Sequence, residues 1–219
     1  MTRADAGRGT PHKGFPEKRN AIVRAARQVF GRIGYQGASI DVIAAEAGVS
    51  TRTIYNHFEN KERLFATVLL DSSEQVATAH EALIERHLGG ATSTAEVEGG
   101  LVALAKDWVR PGPEFAEHCT MVTRLTTEGE SVPEDLHGNW QQAGPRRVQG
   151  ALAAHLTRLA ARGLLDVPDP ARAAQHFVAL ITPAGAHGKA GTDPLPEAEA
   201  EAVAVTGVHA FLYGCLPRG

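Results

Sequence analysis

Residues 39–61, SIDVIAAEAGVSTRTIYNHFENK, constrain the fold of this chain more than any other segment. The first half of the segment carries one apolar stripe at helical spacing, formed by Ile40, Ile43, Ala44 and Ala47. Ser39 stands just before this stripe, where its hydroxyl is expected to cap free N–H groups of the first turn. The pattern predicts a short amphipathic helix that begins after Ser39.

A second helix is predicted after a glycine turn. Gly48 is expected to end the first helix, because glycine adopts a positive φ without steric cost. Ser50 is expected to cap the second helix, which begins at Thr51. Ile54 and Phe58 share one face of that helix and are expected to pack on the first. The segment therefore predicts a helix-turn-helix.

The outer sides of the second helix carry hydrogen-bond donors and acceptors. In a helix-turn-helix, the second helix lies in the DNA major groove and its N-terminal residues contact base edges. We therefore expect Thr51, Arg52 and Thr53 to contact bases, and Arg52 to be the main specificity residue. Tyr55 and His57 are expected to face the flanking phosphates.

Lys61 begins the next predicted helix after a short break at Glu59 and Asn60. A cation beside free backbone N–H groups suits a phosphate oxygen. The candidate DNA-binding residues are Ser39, Ser50, Thr51, Arg52, Thr53, Tyr55, Asn56, His57 and Lys61.

Another apolar stripe at helical spacing runs through residues 17–33 and stops at Gly34. It is formed by Ile22, Ala25, Ala26, Val29, Phe30 and Ile33. A three-helix head is therefore predicted over residues 17–65. The alternative is a helical head whose surface Arg and His residues are incidental.

The charge distribution favours a local attraction of the head to nucleic acid. Residues 1–65 carry 11 Lys and Arg against 6 Asp and Glu, whereas residues 66–219 carry 11 against 19. The whole chain has a net charge of −3, so it would not be drawn to DNA as a whole.

The run AARQVFGRIGYQGASIDVIAAEAGVSTRTIYNHFENKERLF resembles the DNA-binding domain of the tetracycline-repressor (TetR) family of bacterial regulators. The resemblance covers roughly residues 18–66. It is carried by Phe30, Gly34 and Tyr35, by the turn Ala47–Ser50, and by Tyr55, Phe58 and Lys61. The family often has Gly where this chain has Arg52, so the departure adds a side chain able to contact a base or a phosphate.

The resemblance implies an all-α protein with an N-terminal helix-turn-helix head and a C-terminal helical bundle for ligand sensing and dimerisation. The expected division is a tail at residues 1–16, the head at 17–65 and the body at 66–219. In the family, the last two helices pair with those of a second subunit. Stripes suited to this homodimer are Ala174, Val178 and Ile181, and Val205, Val208 and Leu212. The alternative is that both stripes pack only inside one subunit.

The N-terminal tail lacks the apolar side chains that could offset the entropy of ordering it. Its cations, with those just after it, could enter an adjacent minor groove of DNA. These are Arg3, Arg8, Lys13, Lys18 and Arg19. A solvated tail that touches nothing is the alternative.

The body is predicted to be helical throughout, without strands. The expected helices cover residues 60–88, 94–110, 113–129, 134–162, 170–182 and 196–213. Gly144 and Pro145 are expected to kink or split the fourth of these, because proline lacks the donor and clashes with the preceding turn. The stretch TPAGAHGKAGTDPLP, residues 182–196, is too rich in Gly and Pro to be helical.

Large side chains spread over the central body helices could line an apolar small-molecule site. They are Trp108, Phe115, Met121, Leu125, Trp140 and Phe177. Filling the core is the alternative role for each of them.

Catalytic and metal sites are not predicted. The two cysteines, Cys119 and Cys215, lack CxxC spacing, and the histidines form neither HExxH nor another ligand set. No cofactor is expected. No apolar run approaches the roughly 20 residues needed to cross a bilayer, and no signal peptide is evident, so a cytoplasmic protein is expected.

The sequence thus predicts a homodimeric transcriptional regulator. We expect a repressor that binds a palindromic double-stranded operator and leaves it when a small apolar molecule binds. An enzyme carrying the same head, or an architectural DNA binder that senses nothing, are the alternatives.

Overall fold

The computed structural model describes residues 14–127, 134–182 and 195–213, and this part of the chain is helical without strands. The predicted all-α fold is confirmed. The α-helices are α1 Gly14–Gly37, α2 Ile40–Ala47, α3 Thr51–Tyr55, α4 Lys61–Leu88, α5 Thr94–Val109, α6 Ala116–Thr127, α7 Glu134–Ala143, α8 Pro145–Ala161, α9 Pro170–Ile181 and α10 Glu197–Tyr213, with a 3-10 helix at Pro113–Phe115 before α6.

The chain divides into two compact units, Met1–Val68 and Leu69–Gly219, which we call the head and the body. The sequence-based division placed the boundary between residues 65 and 66. Helix α4 runs through the boundary, so its first turns belong to the head and the rest to the body.

The head is built on the predicted stripe of α1. Ile22, Ala26, Val29 and Phe30 are completely buried, whereas Ile33 at the end of the stripe is 37% exposed. At Gly34 the backbone leaves the helical region with φ 75°, and a further helical turn follows to Gly37. The sequence predicts that the helix ends at Gly34, whereas in the structure it is interrupted there and continues for one more turn.

Aromatic rings of α1 and α4 pack against each other in the head. The ring of Phe65 on α4 lies 4.9 Å from Phe30 and 5.0 Å from Tyr35, centroid to centroid, with the first pair edge to face. Such edge-to-face pairs add to the burial of apolar area. They hold the start of α4 against the C-terminal end of α1.

Helix α4 closely matches its predicted limits. Asn60 caps it, since its Oδ1 accepts a hydrogen bond from the Arg63 backbone N–H at 2.8 Å. The sequence pattern predicts an inner face formed by Leu64, Val68, Val76, Ala79 and Leu83, and the first two of these are fully buried. In the body half, however, the predicted positions Val76, Ala79 and Leu83 are only partly buried, and the core-facing residues are Ala77, Ile84 and Leu88.

The predicted helix over residues 134–162 is split as expected. Helix α7 ends at Ala143, and Pro145 takes the first position of α8. Proline is tolerated there because the first N–H groups of a helix have no partner within it.

The body core lies between α5, α8, α9 and α10 and the C-terminal half of α4. Its fully buried residues include Ile84, Leu101, Leu104, Leu152, Leu156, Phe177 and Ile181. At Gly207, helices α9 and α10 approach so closely that an added Cβ would lie 2.8 Å from the Leu180 carbonyl oxygen. None of the described helices is long and apolar enough to cross a membrane.

Candidate nucleic-acid interface

The caps and turn of the helix-turn-helix are formed as predicted. Ser39 Oγ accepts a hydrogen bond from the Val42 N–H at 3.2 Å, and Ser50 Oγ accepts one from the Thr53 N–H at 3.1 Å. Gly48 has φ 64° and ψ 33°, the left-handed conformation that ends α2. Ile54 is fully buried and Phe58 nearly so, which confirms the face that packs on the head core.

Packing of Ile54 inward leaves its helical neighbours facing outward. Arg52 is exposed and has no polar partner among the described residues, while Tyr55 is 55% exposed. Thr51 and Thr53 are half-buried, and the Thr53 hydroxyl lies 2.9 Å from Ser50 Oγ in a hydrogen bond. Helix α3 therefore presents one cation and several hydroxyl groups on a surface free of carboxylates.

We call α3, the second helix of the helix-turn-helix, the recognition helix. It is shorter than predicted, because it ends at Tyr55 and Asn56 is its C-cap. His57 lies beyond the helix, and its backbone N–H donates to the Ile54 carbonyl at 2.9 Å. The imidazole is half-buried against the ring of Phe15, with 4.0 Å between centroids. This burial, together with the positive charges of Arg19 and Lys18, lowers the pKa of His57. A charged histidine facing a phosphate is therefore disfavoured near neutral pH.

Lys61 donates its side-chain hydrogen bonds to backbone carbonyls of the head. Its Nζ donates to the carbonyl oxygens of Tyr35 and Ala38, both at 3.0 Å, and lies 4.3 Å from the centre of the Tyr35 ring. The Tyr35 carbonyl lies in the last turn of α1 and the Ala38 carbonyl just after it, where backbone acceptors lack helical partners. The ammonium has three N–H groups, so a phosphate contact by Lys61 would use the one that remains.

The first turn of α4 also carries a carboxylate. The Tyr35 hydroxyl donates to Glu62 Oε1 at 2.8 Å. Hydrogen bonds from its own backbone N–H and from Tyr35 lower the pKa of the Glu62 carboxyl. A negative charge thus stands at this helix N-terminus, next to Lys61.

The last three residues of the tail predicted over residues 1–16 are helical in the structure. Residues 14–16 belong to α1, and residues 1–13, including Arg3, Arg8 and Lys13, lie outside the described residues. Lys18 and Arg19 are helical, and the Arg19 guanidinium carbon lies 5.4 Å from the centre of the Phe58 ring. These two cations therefore lie on α1, and their entry into a minor groove stays a prediction.

The contacts of Phe15 and Arg19 were not predicted from the sequence. Phe15 stands seven residues before Ile22, so it lies on the same helical face as the predicted stripe of α1 but before its first named residue. The sequence signal that could have found Phe15 was this seven-residue spacing, together with a single aromatic residue in an otherwise polar N-terminal stretch.

The six candidate ligand-binding residues have different environments. Phe177 is fully buried in the body core, 5.4 Å from the Phe211 ring, so it fills the core as the alternative interpretation held. Trp108 packs at the edge of that core, 4.3 Å from the His80 ring. Met121, Leu125 and Trp140 are buried.

Phe115 lines an open cleft of about 470 Å³ between α4, the 3-10 helix and α8. The other residues of this cleft are polar or charged: Asp71, Glu74, Gln75, Thr78 and Arg147. Arg147 is held by a two-point hydrogen bond to Glu81, at 2.7 and 2.6 Å. The cleft is thus lined by the side chains of five polar or charged residues and by one aromatic ring.

The predicted dimer stripes mostly face inward. Ala174, Ile181 and Val208 are buried in the core of their own subunit, so the prediction that they form an interface is wrong. Val178 and Leu212 pack against that core, and Val205 alone of the six is largely exposed, at 47%. Leu180 and Tyr213 are the other large exposed apolar residues of α9 and α10.

Two titratable residues, His118 and Cys119, are neighbours on α6. His118 Nδ1 and Ser72 Oγ share a hydrogen bond of 2.9 Å. Cys119 is an exposed residue, but partial burial of its side chain raises the pKa of the thiol. Cys215 lies outside the described residues. Within the described ranges, His, Cys, Asp and Glu residues form no group that could hold a metal ion.

Two family models match the chain. The model described as bacterial regulatory proteins, tetR family, matches residues 22–68. The model described as AefR-like transcriptional repressor, C-terminal domain, matches residues 116–214. The first match lies in the head and the second in the body.

Known proteins show the same similarity. The HTH-type transcriptional regulator BetI of Vibrio campbellii is 32% identical over 174 residues, which cover 71% of this chain and 85% of that protein. The HTH-type transcriptional regulator UidR of Escherichia coli K12 is 33% identical over 67 residues, so 31% of this chain spans 34% of that relative's length.

A solved structure of a putative TetR-family transcriptional regulator from Mesorhizobium loti is similar over nearly the whole chain. It is 29% identical, with a TM-score of 0.77, and the similarity covers 93% of this chain and 98% of that one.

Proposed function

This chain belongs to the TetR family of bacterial transcriptional regulators, and we propose that it is a homodimeric repressor that binds a palindromic operator in double-stranded DNA. The single observation that carries the proposal is the geometry of α3. A capped helix, anchored by buried Ile54, holds exposed Arg52 and Tyr55 outward. Operator binding of this kind takes place in the cytoplasm, where bacterial DNA lies.

The contacts proposed for α3 follow from its exposed groups. Arg52 can donate two hydrogen bonds to a guanine in the major groove, and Thr51 and Thr53 add hydroxyl groups at the N-terminal end. Tyr55 and Asn56 lie at the other end, where they are suited to phosphates. Ser39 and Ser50 use their hydroxyls as caps, so their proposed DNA contacts are limited to the backbone beside those caps.

Selection of bound duplexes from a random pool tests the proposal. The full chain should enrich one inverted repeat, and its affinity for that repeat should exceed its affinity for random DNA by a large factor at modest salt. Arg52→Ala should reduce this preference. Arg146→Ala is the matched control, because Arg146 is an exposed arginine of the body. Equal binding of the enriched and random duplexes would refute sequence-specific recognition.

Dimer formation through the outer faces of α9 and α10 is part of the proposal. Members of the family act as dimers, and a dimer places two recognition helices about 34 to 36 Å apart, one turn of DNA. Leu180 and Val205 are exposed apolar residues on these two helices, at 43% and 47%. Burial of such residues between two subunits would remove them from water.

Release of the operator by a small apolar molecule completes the proposal. Ligand binding is typical of the family. The body carries the buried apolar residues Met121 and Leu125 on α6 and Trp140 on α7. A ligand lowers DNA affinity only if it prefers the conformer that does not bind DNA. It must then bind free protein more tightly than DNA-bound protein by the same factor.

Calorimetric titration of an effector into free protein and into the DNA complex tests this coupling. Candidate effectors come from a thermal-shift screen of apolar compounds, scored by the increase in melting temperature of the full chain. Equal affinities in the two titrations would refute the coupling, even if the compound binds tightly.

A further inference from the structure

The N-terminal turns of α1 contact the segment that follows the recognition helix. Phe15 is 50% exposed, yet its ring centroid lies 4.0 Å from that of His57. The planes of the two rings are inclined by 39°. One face of the imidazole is therefore covered by the Phe15 ring.

A second contact lies one turn further along α1. The Arg19 guanidinium carbon lies 5.4 Å from the centre of the Phe58 ring, which is nearly buried. The backbone N–H groups of His57 and Phe58 both donate to the Ile54 carbonyl, at 2.9 and 2.8 Å. The segment that α1 contacts is thus tied directly to the buried anchor of the recognition helix.

The two nitrogens of the imidazole differ. Nδ1 is buried and has no hydrogen-bond partner among the described residues. A proton on Nδ1 would be an orphaned buried donor, which is rare in proteins, so a neutral ring is expected to carry its proton on Nε2. Nε2 is then the donor that His57 can offer to another molecule.

The charges around the ring favour this neutral form. Lys18 and Arg19 of α1 are the cations that act on the imidazole, and Phe15 and Phe58 supply apolar surface. Glu59 on the imidazole's own segment is exposed to solvent. Removal of the Phe15 ring would let water reach the imidazole and make protonation easier.

We propose that Phe15 is a positioning residue for DNA binding, whose ring orients the His57 imidazole so that Nε2–H donates to a phosphate beside the major groove. The inference rests on the proposed DNA-binding function. It gives the operator complex a phosphate contact from a neutral donor, and it assigns to Phe15 a role that requires no contact between Phe15 and DNA.

The first experiment uses the free protein and so is independent of DNA binding. The His57 imidazole is titrated by NMR in the full chain and in Phe15→Ala and Phe15→Tyr. The pKa of His57 should rise toward its ordinary value in Phe15→Ala and stay lowered in Phe15→Tyr. An unchanged titration in Phe15→Ala would overturn the covering role of the ring.

The second experiment measures affinity for the selected operator by fluorescence anisotropy. Phe15→Ala and His57→Gln should each weaken binding by about 3- to 10-fold at neutral pH, the effect of one hydrogen bond. The double variant should be no weaker than either single variant, and Phe15→Tyr should bind like the unmodified chain. Additive losses, or an unaltered affinity in Phe15→Ala, would overturn the proposal.

The pH profile separates positioning from simple loss of structure. Between about pH 7.5 and about pH 5.5, Phe15→Ala should gain operator affinity relative to Phe15→Ala/His57→Gln, because an imidazolium attracts phosphate. Its salt slope should become steeper by about one at the acid end. A parallel profile for both variants would overturn the proposal. If the unmodified chain bound no duplex, the proposed function would fail, whereas the NMR result on the contact would stand.

Discussion

The Leu180 carbonyl oxygen and the Cα of Gly207 lie so close that a Cβ on Gly207 would come within 2.8 Å of that oxygen. The same Cβ would lie 3.1 Å from Cγ2 of Ile181. Glycine at this position therefore sets the separation of α9 and α10, and with it the outer surface that the two helices present together.

Substitution Gly207→Ala is expected to destabilise the body by about 1 to 3 kcal/mol, the usual cost of forcing extra atoms into a packed contact. Urea unfolding of the full chain measures this change. Gly150→Ala is the matched control, since Gly150 lies within α8 and an added Cβ meets nothing within 4 Å. That control is expected to be stabilising by about 0.5 to 1 kcal/mol, the helix preference of alanine. Equal effects would show that the close approach is easily relieved.

The Arg52 side chain is expected to set base preference at one or two operator positions. Arg52→Ala should cost about 1 to 3 kcal/mol at those positions while other positions keep their preference. Competition binding against operators with single base changes measures this directly. If Arg52→Ala weakened all sequences alike, Arg52 would be assigned to a phosphate instead.

Lys61 is expected to contribute to the stability of the head as well as to DNA binding. Lys61→Met leaves the Tyr35 and Ala38 carbonyls without their donor, and each charged hydrogen bond is worth about 1.5 to 3 kcal/mol. Hydrogen exchange of the head amides should therefore be faster in this variant. Arg63→Met, at an exposed position one turn from Asn60, is the control.

The salt dependence of operator binding separates the two roles of Lys61. If its third N–H contacts a phosphate, Lys61→Met should reduce the slope by about one. An unchanged slope, together with a destabilised head, would leave Lys61 only its contacts within the head.

The sequence predicted those parts of the interface that depend on local hydrogen bonds. Ser39 and Ser50 cap groups three residues away, and the turn at Gly48 needs no distant partner. Such features are visible in a single stretch of residues because both partners lie in it. The limits of most helices were correct for the same reason.

Long-range contacts could not be predicted in this way. Lys61 finds the carbonyls of Tyr35 and Ala38 more than 20 residues away, and nothing in the spacing of these residues pairs them. Phe15 and His57 are likewise paired only by the packing of α1 on the turn after α3.

Periodicity also left open which face of a helix is buried. In α9 and α10 both the inner and outer faces carry apolar residues, so a stripe such as Ala174, Val178 and Ile181 fits either role. The structure turns Ala174 and Ile181 into the core and leaves Leu180 and Val205 outside. The distinction depends on the neighbouring helices α5 and α8, which the stripe does not specify.

His80 is expected to make the stability of the body depend on pH. Its Nδ1–H donates to the Val76 carbonyl at 2.9 Å, its ring packs against Trp108, and burial lowers the pKa of His80 despite that hydrogen bond. The unfolded chain therefore binds more protons than the folded one once the pH falls below the ordinary histidine pKa of about 6.5. Lower pH must then favour unfolding.

Unfolding in urea at several pH values measures this dependence. The contribution of His80 has a limiting slope of about 1.4 kcal/mol per pH unit, between the unfolded and folded pKa values. His80→Gln should flatten the curve over that range, whereas His176→Gln, at an exposed position of α9, should not. Parallel curves for the unmodified chain and His80→Gln would contradict the prediction.

Val205 is expected to lie in the contact between two subunits. Val205→Lys would bury an unpaired charge there, so the dimer dissociation constant from analytical ultracentrifugation should rise by at least about tenfold, since an unpaired polar group costs at least 1 to 3 kcal/mol. Binding to the full inverted repeat should weaken more than binding to one half-site, because only the repeat engages both subunits. Ala154→Lys, at an exposed position of α8, is the control for added charge. If Val205→Lys dimerised as well as this control, the contact would have to lie on another face of the body.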